Sequence, residues 1–166
     1  LAITFPLMNL AAAFGAMIGA GGATLVSIKM GQKDSESANK VLGNVLMLNL
    51  ILGTAFMIFG LIFIDDILSI FGASENTLPY ARDFMQIILL GNVVTHLYLG
   101  LNSIMRSSGY PRKAMYTTLL TVLVNLILAP IFIFGFDWGI RGAATATVFA
   151  QIVALIFVLV HFANKE

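Results

Sequence analysis

The sequence predicts an all-α protein, a polytopic bundle of five membrane-spanning helices. Three observations carry this. Of 166 residues, 59% are apolar and 10% charged, where soluble domains average about 45–50% and ~25%; mean hydropathy is +0.95. Several apolar runs exceed the ~18–20 residues that cross a bilayer. The connections between the runs carry the charges. No run shows the ~10-residue alternation of a membrane β-barrel.

The first span, roughly 3–28, is already under way at Leu1, with no charged region before it, so it does not read as a signal peptide. The chain is expected to be an internal piece of a larger protein. Ala11, Gly15, Gly19 and Ala23 recur every four residues along this span, a small-residue seam for close helix packing. Gly21-Gly22 lacks Walker spacing and lies inside the span, so no phosphate loop is expected. The second span, 41–64, carries Asn49-Leu-Ile-Leu-Gly53, echoed by Asn125-Leu-Ile-Leu-Ala129 on the fourth.

The third span, 79–105, bears a polar stripe of Asn92, Thr95, His96, Asn102, Ser103 and Arg106, whose spacings of three, four and seven put them on one helical face. The fourth, 114–134, has Thr117, Thr118, Thr121 and Asn125, with Pro130 inside it. The fifth, 140–162, is built on a second small-residue seam, Gly142, Ala146 and Ala150, followed by Gln151.

Charge sets the orientation. Loop 29–40 holds Lys29, Lys33 and Lys40, and loop 106–113 holds Arg106, Arg112 and Lys113. The other connections hold Arg82 and Arg141 against Asp65, Asp66, Glu75, Asp83 and Asp137. The excess of positive charge places the first two loops in the cytoplasm. The first helix then starts outside, and five helices with this orientation look like six minus the first.

Several functions are excluded. The net charge is +1 and the basic residues lie in short loops, so nucleic acid is not a partner. Without cysteines there are no disulfides or thiolate metal sites, and two histidines are too few for a His-rich one. No Ser/His/Asp set, HExxH or paired carboxylates appear, so the chain is not expected to be an enzyme and no catalytic or metal residue is assigned. All eight carboxylates sit in loops or at helix ends, whereas a proton- or sodium-coupled carrier needs an embedded acid. The two polar stripes leave two readings open. They line a wet cavity for a polar or cationic solute, or they only bond to neighbouring helices, at about 0.6 kcal/mol each. His96, without a carboxylate at i±3 or i±4, reads as a packing residue rather than a proton relay.

Three stretches carry a resemblance: Ser27-Ile-Lys-Met-Gly-Gln-Lys-Asp34, Leu101-Asn-Ser-Ile-Met-Arg-Ser-Ser-Gly-Tyr-Pro-Arg-Lys-Ala-Met115, and Asn125 to Gln151. The last is similar to a pattern N-x-x-L-D-P … G-x-G-x-x-G-A-A-x-A-T … Q. Together they resemble the multidrug and toxic compound extrusion (MATE) family, at helices two to six of its amino-terminal six-helix lobe. The resemblance implies a secondary transporter in the cell inner (plasma) membrane. It would export cationic or amphipathic compounds in exchange for protons or sodium by alternating access, together with a missing first helix and second lobe of the same polypeptide. Asn102 and Asn125 would line the substrate cavity, helped by Thr121 and Gln151, and Pro130 would be a conformational hinge. No cofactor is expected beyond the coupling ion. The family's acid before the proline is Ala129 here, so the coupling site is expected outside this segment. Two other readings remain: a lipid-linked oligosaccharide flippase of the same superfamily, and a non-transporting membrane scaffold subunit.

Overall fold

The structure, a computed structural model, describes residues 2–164. Its elements run α1 (Phe5–Gly31), α2 (Ser35–Ile62), α3 (Ile64–Ile70), α4 (Leu78–Leu90), α5 (Asn92–Ser107), α6 (Pro111–Pro130), a π-helical turn (Ile131–Gly135) and α7 (Gly139–Ala163). Helices α1, α2, α7 and α6 with its π turn are each long and apolar enough to cross a bilayer. The expected third span is two helices, α4 and α5, bent by 52°; as one broken span they give the fifth crossing.

Local chemistry sets the helix starts. Pro6, Pro79 and Pro111 occupy first-turn positions, where the missing N–H is no loss. Before α2, the Asp34 carboxylate accepts from the Ser37 N–H at 3.0 Å. Hydrogen bonding to Ser37, reinforced by Lys29 at 3.6 Å, holds this carboxyl below its ordinary pKa. Its support for the helix start is therefore full above the ordinary carboxylate pKa and is lost as pH falls through the lowered one.

The bend follows from Gly91. A Cβ there would lie 2.5 Å from Val148 Cγ2, so α7 fills the notch that the missing side chain leaves. Backbone pairing continues through it: Gly91 N–H donates to Ile87 at 3.0 Å and Thr95 N–H to Gly91 at 3.1 Å. These bonds keep the backbone paired across the bend, which helps to make it tolerable in a bilayer.

Both small-residue seams are helix contacts. A Cβ on Gly19 would sit 2.8 Å from the Gly100 Cα, and one on Gly15 3.1 Å from the His96 Cα, so α1 and α5 touch backbone to backbone. On α7 a Cβ at Gly142 would meet the Phe132 carbonyl at 2.7 Å; the π turn folds back over this glycine. Ala146 and Ala150 below it are fully buried.

One helix was not expected. The segment 64–70 reads as loop in the sequence because Asp65 and Asp66 interrupt it, yet Ile64 and Leu68 are buried against Leu7, Phe84, Met85 and Leu89. Arg82 pairs with Asp65 at 3.2 Å and Arg141 with Asp83 at 2.8 Å, tying α3 to α4 and α4 to α7. Such exposed pairs are each worth at most about 1 kcal/mol.

The α1–α5 contact yields a paired test. Gly19→Ala should destabilise the protein by about 1–3 kcal/mol, the usual effect of overpacking. Gly21→Ala, which meets open space, should be neutral or stabilising by up to about 1 kcal/mol through helix propensity. Thermal unfolding of the two variants in detergent reads the difference, and equal melting would refute the close crossing.

Candidate functional site

The polar side chains of α5, α6 and α7 form two groups. The inner group centres on α7. Asn125 Nδ2 donates to Thr147 Oγ1 at 3.0 Å, and that hydroxyl lies 3.0 Å from the Ala143 carbonyl. One turn further along α7, the Gln151 amide oxygen accepts from the Thr95 hydroxyl. Thr147 and Gln151 both line a cavity of about 140 Å³, with Asn9 of α1 and Asn92 and Thr95 of α5. Met8, Met85 and Phe5 supply its apolar wall, and among the described residues no ionisable one lines it.

The second group joins α5 to α6. Asn102, 5% exposed, donates from Nδ2 to the Ala114 carbonyl at 3.1 Å and accepts from the Arg106 guanidinium at 3.2 Å. Thr121 Oγ1 lies 2.9 Å from the Thr117 carbonyl and 3.4 Å from the Tyr98 hydroxyl, which also reaches Thr118 at 3.4 Å. The structure therefore brings Asn125 and Gln151 to either side of Thr147 and places Asn102 and Thr121 on the α5–α6 seam.

The α5 stripe divides for a geometric reason. At about 100° per residue, its six residues spread over an arc of about 120°, wide enough to meet two neighbours. Thr95, Asn102 and Arg106 lie on one edge: Thr95 reaches Gln151 of α7, Asn102 reaches Ala114 of α6, and Arg106 donates back to Asn102. Asn92, His96 and Ser103 lie on the other. Asn92 donates to the Gly53 carbonyl of α2 at 3.1 Å, and His96, fully buried, packs against Gly15 and Gly53 with its Nδ1 3.0 Å from the Asn92 carbonyl.

Pro130 ends the α-helical part of α6. Without an N–H it leaves the Leu126 carbonyl short of its usual donor. Beyond it the chain widens into the π turn, where Phe136 N–H reaches back to Ile131 at 3.0 Å. Phe132 locks this turn against Phe136, Trp138 and Phe149, with ring centroids 5.8, 5.6 and 6.0 Å away.

Thr147 and Asn9 were missed as site residues. Thr147 stands four residues before Gln151, on the same face of α7, and that spacing is the signal that could have found it. Asn9, a lone amide in an apolar run, gives no periodic signal.

A neutral polar cavity within helices of membrane length defines an integral membrane protein of the polytopic helical class. Within that class, the chain belongs to the MatE family, whose profile matches residues 1–131. The multidrug export protein MepA of Staphylococcus haemolyticus (strain JCSC1435) is 33% identical over 166 residues, covering 100% of this chain and 37% of the relative. The probable multidrug resistance protein YoeA of Bacillus subtilis (strain 168) is 30% identical, covering 98% and 36%. Two solved structures of a multidrug resistance MATE family transporter of the MOP superfamily also match. The inward-facing one has a TM-score of 0.95 at 29% identity, covering 99% of this chain and 38% of that one. The outward-facing one has a TM-score of 0.90 at 28% identity, covering 99% and 37%. The chain thus spans a little over a third of the length of these relatives.

The Asn125–Thr147 bond is testable by a double-mutant cycle. Thr147→Val keeps the shape and removes the acceptor, and should cost about 0.6–1.7 kcal/mol, the range for interhelical bonds in membranes. Added to Asn125→Val it should cost less than alone. Strict additivity in thermal unfolding would mean the two side chains do not interact.

Proposed function

We propose that this chain is the part of a secondary active exporter that supplies one wall of its substrate cavity. The observation that carries this reading is the charge-free cavity between α1, α4, α5 and α7, in a family whose named relatives are multidrug export proteins. The substrate class is cationic or amphipathic. Amide and hydroxyl oxygens of Asn9, Thr95, Thr147 and Gln151 can solvate an organic cation, while Met8, Met85 and Phe5 meet its apolar part; methionine adapts to varied shapes. At about 140 Å³ the cavity is below the ~300–1,000 Å³ of whole ligand sites, so the remaining wall comes from other parts of the polypeptide.

In this reading Asn125 and Gln151 act at the cavity, Asn125 by orienting Thr147. Asn102 and Thr121 contact solute only after their present bonds open. Transport is by alternating access in the cell inner membrane, in exchange for protons or sodium. Ala129 and the neutral lining offer no acid here to carry a proton, so the coupling site is assigned elsewhere in the polypeptide. Pro130 is the hinge: each hydrogen bond of the π turn spans one residue more than in an α-helix, and converting between the two would shift Asn125 against α7. A lipid-linked oligosaccharide flippase would call for cationic groups in the cavity, and its lining holds none.

The test uses the full-length protein and a cationic fluorescent dye. Gln151→Ala and Asn125→Ala should each slow efflux about tenfold, the effect of ~1.4 kcal/mol, at unchanged membrane abundance. Efflux at the parental rate in both variants refutes the cavity assignment and favours the scaffold reading. Pro130→Ala should also slow efflux; an unaltered rate removes the hinge.

A further inference from the structure

The first turn of α6 and the last turn of α7 lie side by side at the end of the bundle that the charge count places in the cytoplasm. Between them is an open groove of about 520 Å³, within the range of small-ligand sites. Its outer part is polar, formed by Tyr110, Lys113, His161 and Asn164. Its inner part, one turn deeper in the bilayer, is formed by Tyr116, Phe157 and Val160, which are 57%, 43% and 51% exposed.

Lys113 is held in place without being neutralised. Its Nζ lies 3.3 Å from His161 Nδ1 and 5.1 Å from the centre of the Tyr110 ring. That ring in turn meets His161 edge-on, with centroids 4.9 Å apart. Among the described residues Lys113 makes no ion pair and no carboxylate lines the groove. Among the described residues the ammonium thus faces no carboxylate, above a partly exposed apolar inner wall.

We propose that this groove binds an anionic phospholipid of the cytoplasmic leaflet. The phosphate sits at Lys113 beside the Asn164 amide, and an acyl chain runs down over Phe157, Val160 and Tyr116. Charge complementarity selects an anionic headgroup. The half-exposed apolar inner wall selects a lipid over a free phosphate, which could use only the outer part. A basic residue near an anionic surface strengthens binding by about fivefold. The inference rests on the membrane orientation and not on the export reading, since neither Lys113 nor the groove touches the inner cavity.

Native mass spectrometry of the delipidated full-length protein tests it, with phosphatidylglycerol and phosphatidylcholine offered at equal concentration. Phosphatidylglycerol should be retained preferentially. Lys113→Gln should weaken it about fivefold and leave phosphatidylcholine unchanged, while Arg112→Gln, which removes the same charge outside the groove lining, should change it less than twofold. If Lys113→Gln does not stay monodisperse, Asn164→Asp replaces it and must weaken phosphatidylglycerol. Equal retention of the two lipids, or equal effects of the Lys113 and Arg112 variants, overturns the proposal. Displacement of phosphatidylglycerol by inorganic phosphate at equal concentration overturns the choice of a lipid.

Discussion

The bundle depends on the backbone contact between α1 and α5. Lipid gives helices no hydrophobic reason to associate, so they stay together through dispersion at short range and through hydrogen bonds. Glycines make both possible. Gly19 and Gly100 bring the two main chains together, and Gly15 with Gly53 opens the space that the His96 ring fills. The same closeness places Asn49 of α2 against Gly100, where its Nδ2 donates to the Val45 carbonyl at 2.9 Å. A Cβ at any of these glycines would meet the neighbouring helix at 3.2 Å or closer and force the helices apart.

Polar residues in the interior therefore do two different jobs. Asn92 and Asn102 each spend an amide on the carbonyl of a neighbouring helix, at Gly53 and Ala114, and so act as fasteners. Thr95, Thr147 and Gln151 bond to one another, to their own helices or, for Thr147, to Asn125 of α6, while facing empty volume. Bonds of the first kind fix α5 between α2 and α6. Those of the second kind can be exchanged for bonds to water or solute at little loss, because a cavity of about 140 Å³ has room for about four waters, at ~30 Å³ each. In the proposed binding role, exchangeable partners would meet the solute while the fasteners keep the cavity wall from collapsing.

Much of this was legible in the residues. Hydropathy marks each crossing because the bilayer has one thickness, and the four-residue seams mark the contacts because small residues have few other uses there. What escaped was partner identity. A helical wheel gives an arc, not a neighbour, so the α5 stripe could not say that Asn102 faces Ala114 while Thr95 faces Gln151. The bend at Gly91 was hidden because glycine is common in membrane helices and its effect depends on Val148, 57 residues on. The Asn49 and Asn125 echoes likewise share a sequence but not an environment: Asn49 is 1% exposed and bonds to its own helix, whereas Asn125 reaches across to α7. The family likeness drew attention to Asn125, but only the fold shows Thr147 as its partner.

The two solved conformations constrain how such a segment can work. Inward- and outward-facing structures match this chain over 99% of its length, with TM-scores of 0.95 and 0.90, so one internal arrangement is close to both. In the proposed exporter the segment would therefore move largely as a body, with opening and closing set at its boundaries. The internal adjustment left to it is then small, and α6 has a place suited to that: a proline that has already surrendered one backbone bond, followed by a π turn one residue from α-helical register. Moving such a turn breaks no complete hydrogen-bond ladder. It would rotate Asn125 relative to Thr147 while the α1–α5 contact, on the other side of the bundle, stayed closed. In the proposed exporter a neutral pair at that point would transmit a change of shape without carrying a charge across the membrane, and the coupling ion would bind elsewhere.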